Sequence, residues 1–587
     1  MERVSASYRV RVRRSLLMMM MQLMMMMLFT ATGLGKEGRS LLVRPQTRQL
    51  PTIRCYQHRS ISSSLKAHQY SELRADIYST AKRINKVIVE AFAPEKMSGS
   101  EVQQLKAFLE EHVSELNQVN VVTLMHRCSK KRMRVFELCS AEVVLGALDV
   151  RSPTGGVLSP QGISNAVYSL QHIADGHPLE QQLIGRLAEQ LLSSTGRFDS
   201  QALSNVFYGL KMFSWTSPAS QSLLLALQYN IMRNHLQVSD TEHSVHRAFL
   251  NYLRSEIDDL LGAVGGGSDE GMYSTMDQSH HWFEADRSLI DGFAMRAAVR
   301  MTPQGIGSAF LGLQGLGQWT QLNNNSSSSS GSCEHFRSVD GAVRFMVLFL
   351  SQTLSNSHDA SMPLDAQALA NILLGLKGFR CDRDDALLAV REVARRIELD
   401  GAHRVFSSMR GRELSMSVWS MQWMASYEPA LHSLLSCFNG GLDHLLITHT
   451  PTGGKGGRSS QGIRFQTAEE LGMCFGGMRR MHSTNKEVRR LLQHVTSMIP
   501  PSWMDDDDDL PSEPALDSSR AELSISAHQL SSAVYGLRNM CDDCSEVRRA
   551  VSSLSGLLIQ QQQQRRRKRG SGAVRFNGQA IATAVYG

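Results

Sequence analysis

Four polar positions recur together along this chain. They are Gln161, Asn165, Tyr168 and Gln171 in one segment and Gln201, Asn205, Tyr208 and Lys211 in the next. A third segment carries Gln304, Ser308 and Gln314, and a fourth carries Gln367, Asn371 and Lys377. Later copies place Arg479 and Arg538 at the last of the four positions. Side-chain amides both donate and accept hydrogen bonds, cations pair with phosphate, and a phenol ring stacks on flat heterocycles. Steps of four, three and three put the set on one helix face, and Ser164 is read as part of the same row. The tyrosine position has a second reading, packing between neighbouring repeats, because it becomes Leu311 and Leu374 in two copies and Gly476 in another. The asparagine position becomes Met416 and Met473, so Asn can equally serve to bond backbone in an adjacent unit.

Nothing else in the sequence assembles a reaction centre. There is no phosphate-cradling glycine loop followed by Lys, no paired-histidine zinc motif and no nucleophile elbow, so no enzyme activity and no cofactor are expected. Gly265 to Ser268 is a short flexible stretch lacking that Lys. Cys541 and Cys544 are the one close cysteine pair among nine scattered cysteines, and no second ligand pair follows them. They read as two helix cysteines on successive turns. His280, His281 and Asp269 group only loosely. The basic run Arg565 to Arg569 fits either nucleic-acid contact or a solvated insertion, and Asp505 to Asp509 would repel phosphate.

The elements that must carry the polar row are helices built on one motif. Leu158 to Gln171, Phe198 to Lys211, Met301 to Gln314 and Leu364 to Lys377 are plainly similar, and a clear later copy runs from Ile525 to Arg538. Weaker copies contain Leu414 to Gln422 and Leu471 to Arg479, and the last, Phe576 to Gly587, stops in mid-motif. Ser159 is a candidate N-cap with Pro160 at the first helical position, and Asp199 and Asp365 take the capping place elsewhere. Ile163, Ala166, Val167 and Leu170 form an apolar stripe. Two positions seven apart are small: Gly162, Ala202, Gly305, Ala368 and Ala580, then Ser169, Gly209, Gly312, Gly375, Ser420, Gly477, Gly536 and Gly587. Glycine costs about 1 kcal/mol against alanine in a helix, so its recurrence marks a close neighbouring helix or a helix end.

Second helices are expected over Pro218 to Arg233, Asp384 to Ile397, Lys486 to Ile499 and Ser545 to Leu558, which makes the unit a helix pair. Such pairs cannot bury their stripes alone and stack on one another, so the expected fold is all-α, an α-solenoid of helix-pair repeats. Steps between small positions run from 40 to 103 residues. The shortest suggests a unit near forty residues, and the longest implies a degenerate pair or a large loop. Asn323 to Ser332, Pro451 to Ser460 and Gln560 to Gly570 read, with the glycine and aspartate runs above, as disordered insertions. Upstream, Val102 to Leu116 and Asn120 to Arg127 read as a helix pair, the latter a divergent first unit or cap.

Residues 1–71 read as a targeting leader. Arg9, Arg11, Arg13 and Arg14 precede an apolar run from Leu16 to Phe29, too short to span a bilayer comfortably, and an acid-free Arg/Ser/Thr stretch follows from Gly38. A signal-like part followed by a transit-like part is what plastid import through extra membranes uses, and a mitochondrial presequence is the alternative. The mature chain is expected to have no stable membrane span. The domains are thus 1–71 leader, 72–150 N-terminal helical cap or divergent repeat, and 151–587 repeat array. The leader holds 12 Lys or Arg and two acids, leaving 50 basic and 53 acidic residues in the remainder. The overall charge of +7 therefore describes the leader, and the body is close to neutral.

The motif Phe/Leu-Asp/Ser-x-Gln-x-Leu/Ile-Ser/Ala-Asn-x-x-Tyr-Gly-Leu resembles the octotricopeptide-repeat family, helix-pair repeats of organellar RNA-binding proteins in algae. The resemblance extends over about residues 100–587 with gaps, and Asn120 to Arg127 is similar to the stretch leading into such arrays. Irregular spacing departs from the family pattern, and no C-terminal RAP domain is visible. The resemblance implies sequence-selective binding of single-stranded organellar RNA, supporting processing, stability or translation of a transcript, with other organellar RNA-processing or translation proteins as further partners. The alternative is a helical-repeat scaffold that binds protein and not RNA, which the near-neutral body favours.

Overall fold

A computed structural model describes residues 67–569, apart from 265–286, 318–332, 449–462, 501–526 and several shorter breaks. The leader up to residue 66, the group of His280, His281 and Asp269, the Asp505 to Asp509 run, three of the low-complexity insertions and the final copy from Phe576 lie outside the described residues. The chain divides into two units, Met1–Tyr70 and Ser71–Gly587.

Among the described residues the structure is all-α, with twenty-one helices and no strand. The repeated motif forms a series of first helices: α3 (Gln118–Lys130), α5 (Pro160–Ser169), α7 (Ser200–Gly209), α11 (Pro303–Gly312), α13 (Ala366–Leu376), α16 (Gly411–Ser420), α18 (Ala468–Gly477) and α20 (Ala527–Gly536). Their second helices are α4 (Ala141–Leu148), α6 (Pro178–Ser193), α8 (Pro218–His235), α12 (Cys333–Asn356), α14 (Asp384–Asp400), α17 (Pro429–Thr448), α19 (Lys486–Ser497) and α21 (Ser545–Arg569). The other five are α1 (Ala67–Ala91), α2 (Gly99–Glu111), α9 (His243–Val264), α10 (Arg287–Arg296) and α15 (Ala402–Ser407). No helix among the described residues is long and apolar enough to cross a membrane.

The starts of the first helices follow from their caps. Ser159, Asp199, Thr302 and Asp365 each accept the backbone N–H three residues on, at 3.2, 2.7, 3.1 and 2.6 Å. The residue before each cap is apolar and buried (Leu158, Phe198, Met301, Leu364), as is the residue four past the cap (Ile163, Leu203, Ile306, Leu369). That pairing staples the entry of the chain. The stripe Ile163, Ala166, Val167 and Leu170 is wholly buried, and so is Ile306, Ala309, Phe310 and Leu313 two copies on. Burying a large side chain of this kind contributes roughly 2 kcal/mol, which outweighs the weak helix propensity of so short a segment.

The helix pair closes on itself through one recurring bond. The N–H of Leu158 is accepted by Gln190 on α6 at 2.8 Å, that of Phe198 by His235 on α8 at 3.3 Å, and that of Leu364 by Asp400 on α14 at 2.7 Å. Three chemically different acceptors thus serve one backbone donor, so the requirement belongs to the backbone.

Each first helix packs against the next in chain order from α3 to α20, and each second helix packs against the next from α4 to α21. The first-helix register is constant. A side chain at Gly209, Gly312, Gly375, Gly477 or Gly536 would collide with the carbonyl of Val167, Phe207, Phe310, Val418 or Phe475. Each collision partner lies two residues before the small position of the preceding copy. The small positions therefore mark close helix approach, and most of these helices also end there. Where the position is serine, Ser169 and Ser420 donate to their own helix, to the carbonyls of Asn165 and Met416, both at 2.6 Å.

Several expectations change. Among the described residues the 103-residue step contributes two helices, α9 and α10, which pack on the second-helix row, while α7 packs directly on α11. Its return is marked by an isolated antiparallel bridge between Leu236 and Ala297. Gln560 to Arg569, read as a disordered insertion, continues α21, consistent with the good helix propensity of Gln and Arg. Cys541 and Cys544 lie in the turn ahead of α21 and not on a helix, with the Cys541 N–H donating to Ser483 Oγ at 2.7 Å.

Candidate nucleic-acid interface

The polar row lies opposite the apolar stripe and at the protein surface. Gln161, Gln201, Gln304 and Gln367 are exposed in the first turns of α5, α7, α11 and α13. Asn165, Asn205, Ser308 and Asn371, one turn on, are half-buried, as are Gln171, Lys211, Gln314 and Lys377 past the helix ends. Arg479 and Arg538 are exposed. Because the helices pack in one register, equivalent residues of successive copies stand beside one another. Within a copy, Gln161 Nε2 donates to Asn165 Oδ1 at 3.1 Å, which presents the two amides together. Across copies, Gln171 Nε2 donates to Ser129 Oγ at 3.3 Å.

Ser164 does not belong to the row. It is fully buried, and its hydroxyl donates to the carbonyl of Gln161 at 2.9 Å. Its equivalents are Ser204, Gly307, Ala370, Ser415, Gly472 and Ser531, all small and buried. A side chain at Gly307 would press on Ala368 of the next copy, and one at Gly472 on Gln529. This is a second small face, directed at the following helix, to which Ser164 belongs in place of the polar row.

The tyrosines occupy the seam between repeats. Tyr168 stacks on Tyr208 with ring centroids 5.7 Å apart and an interplanar angle of 21°, and His126 of α3 packs against Tyr168 at 5.6 Å. Tyr168 is therefore held between the copies before and after it. The half-burial of Tyr208 and the neighbouring Tyr168 raise its pKa. Leu311 and Leu374 fill the position in the next two copies, and Trp419 and Tyr535 restore an aromatic ring further on.

Those later rings carry cations. Lys377 lies over the indole of Trp419 on the next helix, and Arg538 over Tyr535, 4.2 Å from the ring centroid. Lys211 stands 5.8 Å from the Tyr208 ring. Burial, then the charge of Arg479, pushes Lys377 down to about 8. Although both side chains reach solvent, partial desolvation and then Arg480 lower Arg479, and partial desolvation and then Arg479 and Arg480 lower Arg538. Arg480 donates to the carbonyl of Trp423 at 3.1 Å, spanning from its own copy to the preceding one. Trp419 and Arg480 were not picked out from the sequence. The signal for Trp419 was available, because aligning the weak copy on Ser420 puts the tryptophan at the tyrosine position.

Cys541, Asp542 and Asp543 bring potential ligand atoms within 4.8 Å of one another, all exposed. The two hydrogen bonds from Cys541 Sγ go to these aspartates, a local turn arrangement. None of the family models, curated proteins or solved structures compared with the chain matches it.

Proposed function

We propose that the chain is an α-solenoid that binds single-stranded RNA in an organelle, selecting its sequence through the amide row and so supporting processing, stability or translation of a transcript. One observation carries this reading: the same polar positions recur at the surface of successive first helices packed in constant register. A single strand is a periodic ligand whose exposed base edges need paired donors and acceptors, and Gln161 with Asn165, Gln201 with Asn205 and Gln367 with Asn371 offer both, as Gln304 with Ser308 does in the third copy. The tyrosines, held between copies, order the repeats, and base contact falls to the amides, with the cations past the helix ends left to pair with phosphate. The leader supports delivery to a plastid or mitochondrion, and the resemblance to octotricopeptide repeats supports RNA as ligand.

Crosslinking in purified organelles followed by RNA sequencing tests the reading. Enrichment of transcripts sharing a short motif is expected, and exchanging the amides of one copy (Gln201 and Asn205 to Ala) should weaken the motif at one place. A stable protein partner with no enriched transcript would establish a protein scaffold instead. A fluorescent fusion of residues 1–71 should enter an organelle; a cytosolic signal would remove the localisation.

A further inference from the structure

The structure groups cations at one end of the row. Lys377, Arg479 and Arg538 occupy the same repeat position, and Arg480 stands close enough to depress two of them. In the earlier copies that position is Gln171, Lys211 and Gln314, and in the copy between Lys377 and Arg479 it is Gln422, so one of the first three copies and three of the last four carry charge there. Elsewhere the buried arginines are matched with acid. Arg344 binds Asp291 and Asp384, Arg383 binds Asp340 and Asp385, and Arg396 binds Asp400. Among the described residues no carboxylate comes within ion-pair distance of Lys377, Arg479, Arg480 or Arg538. Unmatched like charges repel, and folding alone gives no reason to gather them at equivalent positions of different copies. Trp419 and Tyr535 hold two of them against aromatic faces, which fixes their direction without neutralising them.

We propose that Lys377, Arg479, Arg480 and Arg538 form a clamp for the sugar–phosphate backbone of single-stranded RNA, gripping it without regard to sequence while the amides of the earlier copies read bases. The proposal rests on the RNA reading above and divides its labour. It also accounts for a chain whose body is neutral overall: the cations that bind phosphate are local, and the excess acid lies elsewhere.

The test uses the full chain and a fluorescent 20-nucleotide single-stranded RNA of random sequence, with affinity measured by anisotropy across a potassium chloride series. A clamp binds this probe at low salt, and log affinity falls linearly with log salt. Each lost phosphate contact reduces that slope by about 0.7, so the triple variant K377Q/R479Q/R538Q should lose roughly 2 from it while keeping its thermal transition. The single variant K377R should keep the wild-type slope. Equal slopes for wild type and triple variant, or no binding of the random probe by the wild type at low salt, would overturn the clamp. So would displacement of the probe by polyglutamate as readily as by unlabelled RNA, which would identify an acidic protein segment as the occupant. Failure of the two proposals is separable. Enriched transcripts with no random-RNA binding leave the reader standing without the clamp. Salt-dependent binding of the random probe with no enriched transcript leaves the clamp without the reader.

Discussion

His235 ends α8, and its Nε2 accepts the N–H of Phe198 at 3.3 Å. That requires a neutral ring with its proton on Nδ1. Burial, then the charge of Arg197, pushes its pKa down to about 4, against 6.5 for the free side chain. Between those values the unfolded chain binds more protons than the folded one, so stability rises with pH through this window and is lost as pH falls from about 6.5 toward 4. The full loss is on the order of 3 kcal/mol. Gln190 does the same work in the preceding pair without titrating. His235→Gln should therefore keep the acceptor and flatten this part of the profile. Denaturant melts of both proteins at pH 7 and pH 5 would decide it: an unchanged pH difference in the variant shows that His235 is not the group responsible.

At the scale of the element, the glycines separate propensity from packing. Gly440 lies in the middle of α17, exposed, with nothing near the place a Cβ would take. Gly440→Ala should stabilise by about 1 kcal/mol. Gly312 has the carbonyl of Phe207 in that place, two backbones in contact with no side chain free to yield. Gly312→Ala should destabilise by roughly 3 kcal/mol, measured as a fall in denaturation midpoint. If the two substitutions behave alike, the close approach of α7 and α11 is wrong. The first helices were legible because three signals agreed in each of them: a cap, a stripe and a small position. The second helices were legible where an apolar period follows the motif, as in α8, α14, α19 and α21. Helices α9, α10 and α12 were not, because they belong to or border an insertion with no motif to align. The division of the polar residues was also hidden. Ser164 and Asn165 are adjacent and both hydrophilic, and only the register of the next helix puts one in the seam and the other at the surface.

At the scale of the second unit, the principal helix contacts run within a pair or between neighbouring pairs. Stability should then divide into local parts, since removing a terminal pair strips only the face it covered. A chain ending at Pro500 lacks α20 and α21 but keeps every pair before them intact. It exposes the seam face of α18, where Gly472 and Phe475 met α20, and the face of α19 that met α21. Such a chain should remain helical and unfold cooperatively, with a modest drop in midpoint. A global collapse on truncation would mean the pairs depend on distant parts of the chain. The same truncation removes Arg538 and keeps Lys377, Arg479 and Arg480. Its salt slope for random single-stranded RNA should accordingly fall by about 0.7, close to that of the single variant R538Q. Agreement between deletion and point variant would show that the clamp is a sum of separate contacts along the row; a slope that vanishes with α20 would show that the cations act only as a group.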